Sequence, residues 1–170
     1  MTKLNHNAMV NSLHKRRVNL VVTLLRIFIG WHFLYEGVIK LYNPEWTSFG
    51  YLATAQGPLK SMFSWLTGAS VIGWVDTLNI IALIVVGVTF LLGFWERFGA
   101  TVGIGLLALY YLAHPPFPWL AQLNVEGNYW FVNKNLIELI GCILIFYHPT
   151  GHFFGLGHLK NGEHLKIEQS

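Results

Sequence analysis

Four long apolar stretches dominate the chain: residues 19–42, 77–95, 98–114 and 129–148. A helix that crosses a bilayer needs about 20 mostly apolar residues. The third stretch is short, but Pro115 and Pro116 bound it, and Pro149 closes the fourth. Without water, the backbone must satisfy its own hydrogen bonds, so stretches of this length are helices rather than strands. The short alternating segments of a β-barrel are absent. The pattern predicts an all-α integral membrane protein, a four-helix bundle crossing the bilayer four times. Residues 1–18 form a basic tail, residues 19–150 the membrane domain and residues 151–170 a second tail. The first apolar run is too long for the core of a cleaved leader, so it is expected to be a retained span.

The connections differ in kind. Spans two and three are joined by little more than Glu96-Arg97, which forces an antiparallel hairpin. Spans one and two are joined by residues 43–76, which include Trp46, Phe49, Tyr51, Phe63, Trp65 and Trp74. That aromatic content predicts an interfacial cap containing one or two short amphipathic helices.

Composition supports lipid as the solvent. Hydrophobic residues make up 54% of the 170 residues and charged residues 11%, against roughly 25% charged in soluble domains. The net charge of +3 comes from residues at the ends of apolar runs, not from a basic stripe, so nucleic acid is not an expected partner. Lys and Arg also set the direction of insertion. Lys3, Lys15, Arg16 and Arg17 precede span one, Arg97 sits in the short turn, and Lys160 and Lys166 follow span four; the opposite loops hold only Lys60. Both termini are therefore expected in the cytoplasm. The aromatic loop and the loop at 115–128 are expected on the outer face.

Ionisable residues inside spans are costly, and they mark functional sites by default. Span one carries Arg26, His32, Glu36 and Lys40 on an arc of about 120° at 100° per residue, with Gly30 and Gly37 on the same face. His32, Glu36 and Lys40 follow one another at i, i+4 spacing. Span four carries Lys134, Asn135 and Glu138, with Lys134 and Glu138 again i, i+4. Given the predicted direction, Glu36, Lys40, Lys134 and Glu138 all fall in the outer half of the bundle. Asp76, Asn79 and His114 stand at that side too, whereas Arg26 lies nearer the cytoplasm. A structural alternative is that these pairs hold helices in register and that Lys40 and Lys134 snorkel to the headgroups.

Other signals are weaker. Gly99 and Gly103 form a small-xxx-small pair that suits close helix packing. Tyr110 and Tyr111 read as interfacial anchors. Cys142 is the one cysteine, which rules out an internal disulfide and a CxxC motif; mid-span, it reads as an apolar filler. The histidines, His152 and His158 included, show no tight metal-ligand spacing, and no metal is expected. A haem would need paired axial ligands at depth, and only His32 lies near mid-depth.

The segment 26–42 (RIFIGWHFLYEGVIKLY) resembles the first span of the DoxX family. The segment 43–52, with Gln56-Gly-Pro58 after it, is similar to the DoxD branch, which includes the large membrane subunit of thiosulfate:quinone oxidoreductase. Glu126-Gly-Asn-Tyr129 and Val132-Asn-Lys-Asn-Leu136 resemble the family's fourth segment. The resemblance implies a small bacterial or archaeal inner-membrane protein with four spans and a link to the quinone pool. It implies a separate soluble or periplasmic redox partner subunit, and it is compatible with an oligomer.

Two classes of function follow. In the first, the chain is a quinone-interacting oxidoreductase subunit, with Glu36, Glu138 and His32 as catalytic proton carriers. Arg26, Lys40, Lys134, Asn135 and His114 would then bind the quinone or substrate. In the second, it is a non-catalytic assembly or scaffold subunit, or a small-solute carrier.

Overall fold

The computed structural model describes residues 2–117, 119, 120 and 129–157, with side chains from residue 10 onward. All regular elements among them are helical: α1 (Thr2–Tyr42), α2 (Phe49–Ala53), α3 (Lys60–Leu66), α4 (Ile72–Leu92), α5 (Glu96–Ala113), α6 (Lys134–Tyr147) and α7 (Gly151–Phe154).

Helix α1 does not begin at residue 19, as the apolar pattern predicts. It runs 41 residues, about 61 Å at 1.5 Å per residue, and absorbs the polar segment read as a tail. No Gly or Pro occurs before Gly30, so nothing in the backbone breaks the helix; the polar residues mark a change of surroundings, not a helix end. Helix α6 is shorter than expected. Asn133 caps it, its side-chain oxygen accepting from the Leu136 amide at 3.0 Å, which fixes the start. Tyr129 and Val132 instead bridge a tight turn. The 14 residues of α6 span about 21 Å.

The α4–α5 turn also shifts. Gly93, at φ 63°, ends α4 in the left-handed region, where glycine meets no steric penalty. Glu96 and Arg97 are therefore the first turn of α5, not the loop. An acidic residue suits that helix N-terminus.

Helices α1, α4, α5 and α6 pack in a closed ring, α1 on α4, α4 on α5, α5 on α6 and α6 back on α1. Every member feeds one core: Ile29 and Phe33, Val86 and Phe90, Ala100 and Leu107, Cys142 and Ile145. The α1–α4 seam depends on small residues, since a Cβ on Gly87 would sit 2.6 Å from the Leu34 amide nitrogen. Gly30 and Gly37 face α4 as well, at Phe90 and Ile84, rather than extending the polar face. Gly99 meets Thr89, and Gly103 meets Cys142 and Val86, as their spacing suggests.

Helices α2 and α3 form the expected cap. Leu52, Ala55 and Phe63 share a second core with Ala113 at the end of α5. The amides of Gln56 and Gly57 donate to the Ala113 carbonyl at 2.9 and 3.2 Å.

Large apolar side chains point outward around the ring, among them Phe28, Trp31, Leu78, Ile81, Ile137 and Ile140. Two helical stretches, Val10–Tyr42 and Ile72–Leu92, are long and apolar enough to cross a bilayer.

Candidate functional site

Two helices from opposite ends of the chain bring the predicted ionisable residues together. On α1, Lys40 Nζ lies 2.8 Å from Glu36 Oε2, one turn away. The same ammonium lies 5.4 Å from the centre of the Trp46 ring, within cation–π range. Across the α1–α6 seam, His32 Nδ1 lies 2.8 Å from Glu138 Oε1. Lys134 Nζ lies 3.4 Å from His32 Nε2.

These distances limit which groups can donate. A Lys ammonium has donors and no acceptor. Lys134 can therefore donate to Nε2 where that nitrogen is bare, while Nδ1, 2.8 Å from Glu138 Oε1, is buried without a well-formed hydrogen bond among the described residues. The cluster sets two lysines against two carboxylic acids around one imidazole, a formally balanced set. Neutrality makes it tolerable in a low-dielectric setting, where an uncompensated charge is not. His32 lies between the Lys134 ammonium and the Glu138 carboxylate.

The cluster surrounds a cavity of about 70 Å³. His32, Glu36, Lys40, Lys134, Asn135 and Glu138 supply its polar wall; Phe33, Leu83, Leu107 and Tyr110 supply the rest. At about 30 Å³ per water molecule, it has room for roughly two. None of the six polar residues is fully buried, so the cluster is reachable from outside the bundle.

Two predicted site residues lie elsewhere. Arg26 is fully buried and belongs to a separate network at the other end of the bundle. Its guanidinium pairs with Glu96, donates to Thr150 Oγ1 at 3.1 Å and to the Phe154 carbonyl at 2.7 Å. The Thr150 amide closes the network on Glu96 Oε2 at 2.7 Å. Arg26 thus ties α1 to α5 and α7 and contributes nothing to the cavity. His114 packs in the seam between α5 and the cap, with Nε2 2.8 Å from the Tyr51 carbonyl and its ring 4.3 Å from that of Tyr51. Asp76, at the same end, accepts from the Ser48 amide at 2.8 Å and holds the cap.

Sequence reasoning missed two residues. Glu96 looked like a turn residue; its role as the partner of Arg26 required knowing that α5 starts there. Tyr110 looked like an interfacial anchor, yet it lines the cavity, and its hydroxyl accepts from Asn79 Nδ2 at 2.6 Å. Its spacing three residues after the buried Leu107 is the signal that places it inward. Tyr111 is half-buried and donates to the Phe131 carbonyl at 2.8 Å. Among the described residues no three His, Cys, Asp or Glu side chains converge as a metal site requires. His158, Lys160, Lys166 and Glu126–Asn128 lie outside the described residues.

The DoxX family model matches residues 21–115, more than half of the chain. The match includes His32, Glu36 and Lys40 on α1 and reaches the end of α5; it stops short of α6. No curated protein and no solved structure matches.

Proposed function

Because the chain belongs to the DoxX family of membrane proteins, we propose that it is a DoxD-like, quinone-interacting oxidoreductase subunit of the bacterial inner membrane. In this reading all four packed helices cross the bilayer, both termini are cytoplasmic and the cap faces outward. The Lys and Arg asymmetry supports that direction. It places the α1–α6 cluster in the outer half of the bundle.

The observation that carries the proposal is the joined Lys134–His32–Glu138 and Lys40–Glu36 constellation around one cavity. A scaffold could close the same seam with Leu and Gly at far lower desolvation cost. Reducing a quinone to a quinol adds two electrons and two protons. His32 and Glu138 are suited to pass one proton and Glu36 the other. Lys40 and Lys134 supply positive charge where the reduced ring carries negative charge, and Asn135 offers a neutral hydrogen-bonding group at the same rim. Cys142 is the only thiol, so the chain cannot store two electrons as a disulfide. The electrons come from a soluble or periplasmic partner subunit. The cavity is too small for a ring, so the ring lies beside it and the cavity acts as a proton path.

A titration tests this. A short-tailed ubiquinone added to the chain in lipid nanodiscs is expected to bind saturably. Binding is expected to weaken about tenfold in Glu36→Gln and in Glu138→Gln, each of which unbalances the charged wall beside the ring. Absence of saturable binding, or affinity untouched by both substitutions, would contradict the proposal and leave the scaffold or carrier reading.

A further inference from the structure

A second cavity, about 380 Å³, lies beside the polar one, between α4 and α5 and under the cap. That size is within the range of small-molecule sites. Its wall is mostly apolar, with Leu52 and Phe63 from the cap, Leu78 from α4 and Leu106 and Leu109 from α5. Along α5 it extends from Ala113 to Thr101, about 18 Å at 1.5 Å per residue. It is therefore long and narrow. Leu78 and Leu109 are also exposed on the outside of the ring, so its mouth opens sideways among outward-facing apolar side chains.

Most polar groups in that wall are already engaged. Ser48 donates to Asp76, Tyr51 Oη donates to the Tyr110 carbonyl at 3.1 Å, and Thr101 donates to the Arg97 carbonyl at 2.9 Å. Asn79 is different. Its Nδ2 donates to Tyr110 Oη, but its Oδ1 is buried with no partner among the described residues. A buried amide oxygen without a donor is a cost that a ligand can remove. Tyr110 Oη accepts in that bond, which leaves its own hydrogen to give. Asn79 and Tyr110 thus present one acceptor and one donor side by side, at the cap end of an apolar groove. A ring hydroxyl matches both at once. Turning the amide over lets Tyr110 donate to Oδ1 and frees an N–H for a ring carbonyl, so the same pair suits the oxidised and the reduced head.

Among the described residues, Tyr110 is also the one that lines both cavities. We infer that the α4–α5 cavity binds a membrane quinone or quinol, its ring held by Asn79 and Tyr110 and its apolar tail lying along α5 past Gly105. The inference rests on the quinone reading above and adds where the ring sits: one phenol away from the Glu36–Glu138 cavity. It makes Asn79 and Tyr110 binding residues that the ionisable cluster does not include.

Gly105 makes the test clean. A Cβ there would meet nothing within 4 Å, and glycine is a poor helix former. Gly105→Phe therefore fills the groove without straining the fold, which thermal unfolding verifies. The full chain in nanodiscs is titrated with decyl-tailed ubiquinol, with the tail-less ring and with decanol. Gly105→Phe is expected to weaken the tailed quinol at least tenfold and the tail-less ring by less. Asn79→Leu and Tyr110→Phe are expected to weaken both ring probes by about tenfold. Decanol is expected to bind far more weakly than the tailed quinol; equal affinity would make the groove a plain lipid-chain site and overturn the inference. Wild-type affinity in Gly105→Phe and Asn79→Leu, together with loss in Glu36→Gln and Glu138→Gln, would overturn this site and keep the quinone reading. No binding of either ring probe to the wild-type chain would overturn both.

Discussion

His32 Nδ1 on α1 and Glu138 Oε1 on α6 meet at 2.8 Å, and Lys134 approaches the other imidazole nitrogen at 3.4 Å. One histidine is thereby addressed on both sides by helix α6. Neither helix alone contains this relationship.

The first prediction concerns that histidine. With Lys134 as donor to Nε2, the Nδ1–H tautomer is the expected resting form. Nitrogen-15 NMR of the histidine-labelled chain, with His32 assigned through its absence in His32→Gln, reads the tautomer directly. A protonated Nε2 in the resting protein would contradict the assigned pattern.

The second prediction separates Arg26 from the site. Breaking its buried pair by Arg26→Met or Glu96→Leu alone leaves an uncompensated buried charge and is expected to cost about 3–5 kcal/mol. The double variant is expected to recover most of that. Thermal and denaturant unfolding in detergent measure both. Quinone affinity in the double variant is expected to stay within twofold of wild type, because Arg26 lines neither cavity near the cluster.

The third prediction concerns the α1–α4 seam. Gly87→Ala places a methyl group 2.6 Å from the Leu34 amide nitrogen, which is backbone and cannot rotate away. Forcing the helices apart is expected to cost about 1–3 kcal/mol. Unfolding at unchanged midpoint would show that the seam is looser than described.

The sequence carried part of this site and not the rest, for physical reasons. His32, Glu36 and Lys40, like Lys134 and Glu138, are related by one helix's own periodicity, so their shared faces were legible. The pairing of His32 with Glu138 was not, because it depends on the rotation and height of α6 against α1. The apolar stretch begins at Tyr129, but α6 starts only after Asn133, because the cap, not the hydrophobicity, fixes the helix start. Asn79 and Tyr110 each read as polar residues near a span end. Only the packing of α4 against α5 turns them into a pair inside an apolar groove. Arg26 sat on the right face and at the wrong height: six residues before His32 is about 9 Å along the helix, enough to give it different neighbours.

The fourth prediction tests the four crossings. Cys142 is buried, so introduced cysteines report alone. Lys60→Cys in the cap is expected to react with an impermeant maleimide added from outside intact cells. Lys15→Cys and His152→Cys are expected to react only after the membrane is opened. Labelling of Lys60→Cys from the same side as Lys15→Cys would exclude the four-span arrangement.

The most direct test of the central claim is photolabelling of the nanodisc-embedded chain with an azido-quinone, followed by peptide mapping. Crosslinks are predicted at the cap-side ends of α1, α4, α5 and α6, around Glu36, Asn79, Tyr110 and Lys134, and excess unlabelled quinone is predicted to suppress them. Labelling that does not compete, or that falls at the Arg26–Glu96 end, would contradict a quinone site beside the ionisable cluster.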